Sequence, residues 1–481
     1  MGYALLLLFL RAFLSTRVMR VYSDFIHQSF DFPTGNLGVK HGRLFFHGLD
    51  LLDIVQAYGT PVRLTFLPEI SVRIAYAKSL FQAAFAKHNY RGKYIYCYCT
   101  KSSHFSFVLE KVLENDVHLE TSSAFDMAIV KHLYASGKLT KAHYVICNGY
   151  KPRAYVDAIS QLVNDGFTRN WPVLDSKEEL IGYETRIQGA SYDVALRMAS
   201  DEEPNFEFYT SRLGFRYKDV MDYYEQVLKP SRATLRMLHF FVHTGMKDTE
   251  YFWAELNRFL ETYCALRRCC ETLSMLDIGG GLPVQNALNF DFDYSAMIDQ
   301  IIETIYLICK KNNVPVPDVC TEFGSYTVAE SGALVYAVMG EKLQNDKELW
   351  YMINGSFITH LPDTWGLNQK YILLPINHWD MPYHKVNLGG LTCDSMDYYN
   401  AEANASDVFM PVMPQNKQLY VGFFNTGAYQ EALGGYGGIQ HCLVPAPKHL
   451  ICDVNKRGKT IIKHFAQEQD ANAMLRILGY K

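Results

Sequence analysis

Lys93–Phe105 reads KYIYCYCTKSSHF, and the fold is read outward from it. Tyr94–Cys99 is an unbroken run of aromatic, aliphatic and thiol side chains, the composition of a buried strand, and Lys101 lies just beyond its end. Upstream, Val62–Leu67 alternates and leads into a helical stretch, Pro68–His88. Downstream, further strand candidates follow at Asp116–Glu120, Tyr144–Cys147, Pro172–Leu174, Val194–Met198, Leu235–Phe241, Met275–Ile278 and Asp318–Glu322. The connections are long enough for helices, and Leu162, Leu180 and Ala254–Leu266 lie in stretches with apolar residues at helical spacing. Parallel strands need crossovers of about a dozen residues or more. About eight such units predict an α/β chain whose strands close into a (β/α)8 TIM-like barrel over residues 68–340.

After about residue 340 the texture changes. Runs such as Leu349–Ile353, Tyr371–Ile376 and Gln418–Phe424 are separated by Gly, Pro and Asn turns, with no long helical pattern before Gln467–Leu478. This predicts a mostly β domain over residues 341–481, which Asn36–Leu51, within the segment 19–67, joins.

The 481 residues are too many for one ordinary domain, and with 49% hydrophobic side chains they can bury large cores. Lys+Arg 46 against Asp+Glu 50 leaves no basic surplus for nucleic acid and no like-charge block. The 33 tyrosines and 29 phenylalanines are read as packing in a strand-rich protein. Eleven cysteines, an odd number without metal-type spacing, suggest reduced thiols in a cytoplasmic protein. Ala4–Leu10 (ALLLLFL) is apolar but much shorter than the roughly 20 residues of a membrane span. Arg11 and Arg17 follow the run, whereas a signal peptide carries its charge before it. Residues 1–18 are therefore expected to be a non-native or disordered extension, with Met19 the natural start.

In a (β/α)8 barrel, strand ends on one face build the active site. Lys101, Glu120, Thr244, Gly279–Gly281 and Glu322 all fall at such ends. Continued pleating puts Lys101 on one face with Ile95, Cys97 and Cys99, aimed into the barrel mouth, although an isolated lysine is usually a solvated one. Leu276–Val284 (LDIGGGLPV) offers three glycines where barrel phosphate sites often lie, or else a tight turn. Glu322, in TEFGSY, is a surface or helix-capping glutamate or a carboxylate facing a pyridine nitrogen. A lysine for the aldehyde, glycines for the phosphate and a carboxylate for the ring nitrogen suit pyridoxal 5'-phosphate (PLP). In the second domain, Leu391–Asp397 (LTCDSMD) carries Cys393, a proton donor or an inert buried thiol, and Asp394, a partner for a cationic tail. Gly427–Glu431 (GAYQE) offers Tyr429 for phosphate or for packing, and His239 and His243 are read as satisfied structural histidines.

Four motifs in order, ICNGYK at Ile146–Lys151, LPDTW at Leu361–Trp365, LTCDS at Leu391–Ser395 and GAYQE, resemble the fold-type III PLP-dependent decarboxylases. That family has an alanine-racemase-like barrel and acts on ornithine, arginine, diaminopimelate and carboxynorspermidine. The likeness runs from about Phe30 to near the end and is greatest to biosynthetic arginine decarboxylases, which lead to polyamines. The resemblance implies that Lys101 holds the cofactor, that Glu120 is an acidic residue near it, and that Thr244, Gly279, Gly280, Gly281 and Tyr429 contact it or its phosphate. It implies Glu322 as pyridinium partner, Cys393 as proton donor and Asp394 as the acid for the substrate tail, the last two reaching the partner subunit's barrel in a homodimer. The chain departs from the family at two positions. Phe240–Gly245 (FFVHTG) places Phe241 where a histidine usually stacks on the ring, and Ser325 stands where an arginine usually meets the phosphate.

The expected reaction is decarboxylation of a basic amino acid, first arginine to agmatine, with Asp394 and Asp363 facing the guanidinium fork. Ornithine, lysine, diaminopimelate or carboxynorspermidine are the alternatives, and an alanine-racemase-like enzyme a further one. A catalytically silent binding or regulatory homologue is the rival from another class, and joint retention of Lys101, Glu322 and Cys393 argues against it.

Overall fold

The computed structural model describes residues 35–201, 211–403, 405–413 and 415–480. The expected 1–18 extension lies outside them.

Eight parallel strands close a barrel: β1 (Tyr94–Cys99), β2 (His118–Thr121), β3 (Val145–Cys147), β4 (Asn170–Leu174), β5 (Tyr192–Arg197), β6 (Ala233–His239), β7 (Met275–Asp277) and β8 (Asp318–Phe323), with β8 pairing back onto β1. Each coincides with a sequence candidate to within a few residues at its ends. The differences have a physical cause, because ladder hydrogen bonds to neighbours set strand ends. β6, for instance, stops at His239, opposite Asp277, rather than at Phe241.

Side-chain alternation sorts the barrel into two cores. Ile95, Cys97, Ile146, Trp171, Val173, Ala195, Met237, Met275 and Cys320 fill its interior. Their neighbours in sequence, such as Tyr96, Leu119, Val145, Leu196, Leu238 and Val319, face outward under the helices. The helices begin where side chains satisfy their free N–H groups. Ser123, Thr249 and Asp293 cap Ala124–Ala135, Glu250–Cys269 and Tyr294–Lys311, and Pro68 sits in the first turn of Leu67–Lys87.

Gly332–Gln344 carries the chain out of the barrel into the β domain. It pairs with Val62–Phe66, Tyr420–Phe424 and Glu348–Ile353, and Lys448–Val454 joins Val62–Phe66 in parallel. Ala333 and Val335 face one core, Leu334, Tyr336 and Val338 the other, so the first half of this strand is buried on both sides while its second half is exposed. Full burial of each such side chain contributes about 1.5–3 kcal/mol. The small sheet Leu37–Lys40, Arg43–Phe46, Leu49–Asp50 packs Leu37, Leu44 and Phe46 into the first of these cores, and Leu44 N–H donates to the Ile376 carbonyl at 2.8 Å. No helix among the described residues is long and apolar enough to cross a membrane.

Candidate active site

Advancing two residues from the interior core residue on seven strands gives Cys99, Asn148, Asp175, Arg197, His239, Asp277 and Glu322, and the same parity from half-buried His118 gives Glu120 on β2. The apolar filling of the barrel thus ends in a polar layer. Above it opens a cavity of about 550 Å³. Of the residues expected from the sequence, Lys101, Glu120, Phe241, Gly280, Gly281, Glu322 and Tyr429 line it, together with Asn148, Arg197, Arg212 and His239.

Lys101 follows β1 in a single 3-10 turn, Thr100–Ser102. Its ammonium donates to Glu120 Oε2 at 2.7 Å, and its side chain is 42% exposed into the cavity while Glu120 is fully buried. Burial on its own would lower the Lys101 ammonium, but the negative charge of the neighbouring Glu120 and Glu322 raises it well above the ordinary lysine range. Burial also pushes the Cys99 thiol up, so Cys99 stays protonated and the carboxylates supply the negative charge.

Glu322 is the anion at the cavity floor. Oε1 accepts from Asn148 Nδ2 at 2.6 Å, and Oε2 lies 3.1 Å from His239 Nε2. Burial would raise this carboxyl. His239, neighbouring Asp277 and the Lys101 charge outweigh that and hold it at about 2. Asp277 moves the opposite way, pushed well up by burial and by Cys320 and Glu322. His239, Asp277 and Glu322 also lie close enough together to hold a metal ion, with His239 Nδ1 and Asp277 Oδ2 left without hydrogen-bond partners. Asn148 reaches Glu120 Oε1 as well, at 3.2 Å, and so ties the two carboxylates together. Burial lowers Arg197, partly offset by Asp175, Glu322 and Glu120. Its guanidinium is 6.0 Å from the Phe241 ring centre.

The glycine run rims the cavity because neighbouring backbone leaves no room for side chains. A Cβ on Gly280 would fall 2.3 Å from the Glu322 carbonyl oxygen, and one on Gly281 2.6 Å from Gly245 Cα. Gly281 also has φ +95°, which only glycine adopts readily. Gly279 stands behind the rim, its Cβ position against Phe240 and Phe241. Thr244 does not line the cavity. It sits in the Val242–Gly245 turn, held to the rim by the Met246 N–H to Gly281 carbonyl bond. Gly324 is equally constrained, since a Cβ would meet Ser102 Oγ at 2.0 Å.

Tyr429 reaches the cavity from the β domain. Its N–H donates to the Ser102 carbonyl at 2.8 Å, which holds a non-glycine residue at φ +68°. Buried Arg63 pins the same segment through Glu431 at 3.1 Å. Asp363 lies in an adjoining pocket that shares Ser325 and Tyr429, where its carboxylate accepts from Gln430 at 2.7 Å. Cys393 and Asp394 do not line this chain's cavity. Cys393 is exposed, not buried, beside Cys442, and Asp394 lies near His441.

The sequence reading passed over Asn148, Arg197 and Asp277, and took His239 as purely structural. His239 instead turns Nε2 to the cavity's own carboxylate, while its Nδ1 is buried without a hydrogen-bond partner. The signal that finds all four is pleat parity applied to every strand rather than to β1 alone.

These residues fit PLP. A cavity-facing lysine, an ionised carboxylate on the floor and a rim where only glycine fits match its aldehyde, ring nitrogen and phosphate.

The profile of the family described as "Pyridoxal-dependent decarboxylase, pyridoxal binding domain" matches residues 76–329, just over half of the chain. A biosynthetic arginine decarboxylase of Prochlorococcus marinus (strain MIT 9215) is 21% identical over 93% of this chain and 87% of its own length. Among solved structures, the biosynthetic arginine decarboxylase SpeA from Campylobacter jejuni superposes with a TM-score of 0.79 at 18% identity, covering 93% of this chain and 89% of that one. Diaminopimelate decarboxylase from M. jannaschii gives 0.76 at 16%, covering 92% and 97%.

Proposed function

The chain belongs to the pyridoxal-dependent decarboxylase family, with PLP as cofactor, and on that premise we propose that it converts L-arginine to agmatine and CO2. The observation that carries this reading is the single cavity in which Lys101, ionised Glu322 and the glycine rim meet. Bound PLP supplies an electron sink for the pair released when the α-carboxylate departs.

The chain's own groups do the rest. Lys101, facing the cavity, would hold the cofactor's aldehyde end and supply the amine that binds and releases it. Glu120 and Asn148 hold its ammonium in place. Glu322, kept negative by His239 and Asn148, stabilises a proton on the ring nitrogen. The aromatic face of Phe241 replaces the family's imidazole as ring support. Gly280, Gly281 and Tyr429, which line the cavity, would receive the phosphate, with Gly279 and the Thr244 turn supporting the rim from behind. Cys393 delivers a proton to the α-carbon, and Asp394 and Asp363 pair with the planar guanidinium. Since Cys393 and Asp394 lie off their own chain's cavity, a homodimer that shares its active sites brings them to the partner's. The site is cytoplasmic on this reading, as the buried reduced thiols suggest.

Incubating the PLP-loaded protein with arginine, ornithine, lysine, diaminopimelate and carboxynorspermidine, and measuring CO2 and amine products, tests the assignment. Agmatine formation with arginine preferred is expected. Turnover of a different amino acid overturns arginine alone, whereas PLP binding without turnover of any supports the silent homologue to which Phe241 and Ser325 point.

A further inference from the structure

We propose that Cys393 and Cys442 are a thiol pair that a peroxide converts to an intrachain disulfide, a modification site on two facing segments of the β domain. Their sulfurs are 3.5 Å apart and both residues are exposed. A disulfide needs about 2.05 Å, a small closure for two irregular loops. The third exposed thiol, Cys269, is instead turned onto its own helix, 3.2 Å from the Leu266 carbonyl.

Both loops hold their cysteines in register. The Cys393 loop is anchored by Asp397, which accepts from Thr392 N–H at 3.1 Å, Thr392 Oγ1 at 2.7 Å and Phe357 N–H at 2.7 Å. Facing it, Cys442 takes φ +53°, unusual for a non-glycine residue, within His441–Leu443. His441 Nε2 lies 3.7 Å from Asp394 Oδ2, a second contact between the same two loops. Cys442 packs into no core, so nothing structural calls for a thiol there.

The step balances. The Cys442 thiolate attacks a peroxide oxygen, the O–O bond breaks, and a Cys442 sulfenic acid and water form. The second thiol attacks that sulfur, the S–S bond forms, and a second water leaves. Two thiols lose two electrons and two hydrogens to one hydrogen peroxide. A dithiol reverses the change. The consequence for turnover rests on the proposed proton-donor role of Cys393, because a sulfur in a disulfide has no proton to deliver.

The test treats the full-length holoenzyme with hydrogen peroxide, alkylates free thiols and maps peptides by non-reducing mass spectrometry. A Cys393–Cys442 cross-link with the loss of two hydrogen masses is expected, with turnover lost in parallel and restored by dithiothreitol. Cys442→Ser, with Cys442→Ala as a second variant, should keep basal turnover, form no cross-link and lose the Cys393 thiol about tenfold more slowly or less. Free alkylation of Cys393 after peroxide, or an unchanged peroxide response in both variants, overturns the proposal. A cross-link that leaves turnover intact supports the thiol pair and refutes Cys393 as proton donor.

Discussion

Glu120→Gln tests how Lys101 keeps its proton. Glu120 Oε2 is 2.7 Å from Lys101 Nζ, and Asn148 holds the other oxygen at 3.2 Å, so glutamine fits the same space and removes only the charge. Two unit charges at this separation interact by about 6 kcal/mol at an effective dielectric of about 20. That figure is an upper bound here, because the Lys101 side chain is 42% exposed and cavity water screens it. A charge-assisted hydrogen bond contributes about 1.5–3 kcal/mol, and the lower part of that range, about 1.5–2, corresponds to roughly 1–1.5 pKa units. The neutral fraction of Lys101 at about pH 8 should therefore rise about ten- to thirtyfold in the variant.

Competitive acetic anhydride labelling of the cofactor-free protein reads this directly. Peptide mass spectrometry gives the Lys101 rate across pH, with exposed lysines such as Lys93 as internal standards. Faster labelling of Lys101 in Glu120→Gln, with the standards unmoved, is the expected result. A profile that stays put, or moves to higher pH, refutes Glu120 as the group that holds the charge. Cys99→Ser is the companion control, since a protonated thiol has no charge to lose and should leave the profile in place.

Other perturbations probe the rest of the site and its support. Gly280→Ala puts a Cβ 2.3 Å from the Glu322 carbonyl oxygen and should weaken PLP about tenfold or more by absorbance titration, with a smaller effect on phosphate-free pyridoxal. Glu322→Gln should cut turnover about a hundredfold or more. His239→Gln should act differently: it removes a group that holds Glu322 near 2, so the acid limb of the turnover profile should move to higher pH. Glu69 is raised to about 7 by burial, then by Glu330; such a group stabilises the fold below its unfolded value and loses that contribution as pH rises through about 7. Glu69→Gln should therefore shrink the fall in unfolding midpoint between about pH 5 and pH 8.

The barrel was legible because its evidence is local and repeated. Tyr94–Cys99, Asp318–Glu322 and the runs between them each carry strand composition, and closure follows from their number and parallel sense. Strand ends were less legible, because they depend on pairing partners far away in the chain, as with β6 and β7 at His239 and Asp277. The double burial within Gly332–Gln344 was hidden for the same reason. Its first half, GALVYAV, shows no clean alternation, since both faces there meet cores built from distant segments.

The site divides along the same line. Lys101, Glu322 and the glycine run announce themselves by residue type at strand ends. The groups that give them their chemical state do not, because an asparagine or a histidine at a strand end acquires meaning only from what stands across the barrel. Asn148 and Glu322 are 174 residues apart in sequence and 2.6 Å apart in space. His239 sits 83 residues from the carboxylate whose charge it fixes. Yet the barrel itself supplies a rule that needs no coordinates. Once eight strands are accepted and one interior residue is identified on each, the period of two dictates which side chain caps the interior, and that count yields four acids, an arginine, a histidine, an asparagine and a cysteine. Eight polar or thiol caps over an otherwise mostly apolar filling cannot be a packing pattern, because burying such groups costs free energy unless they satisfy one another. The layer they form is where a charge-separating reaction has to be placed.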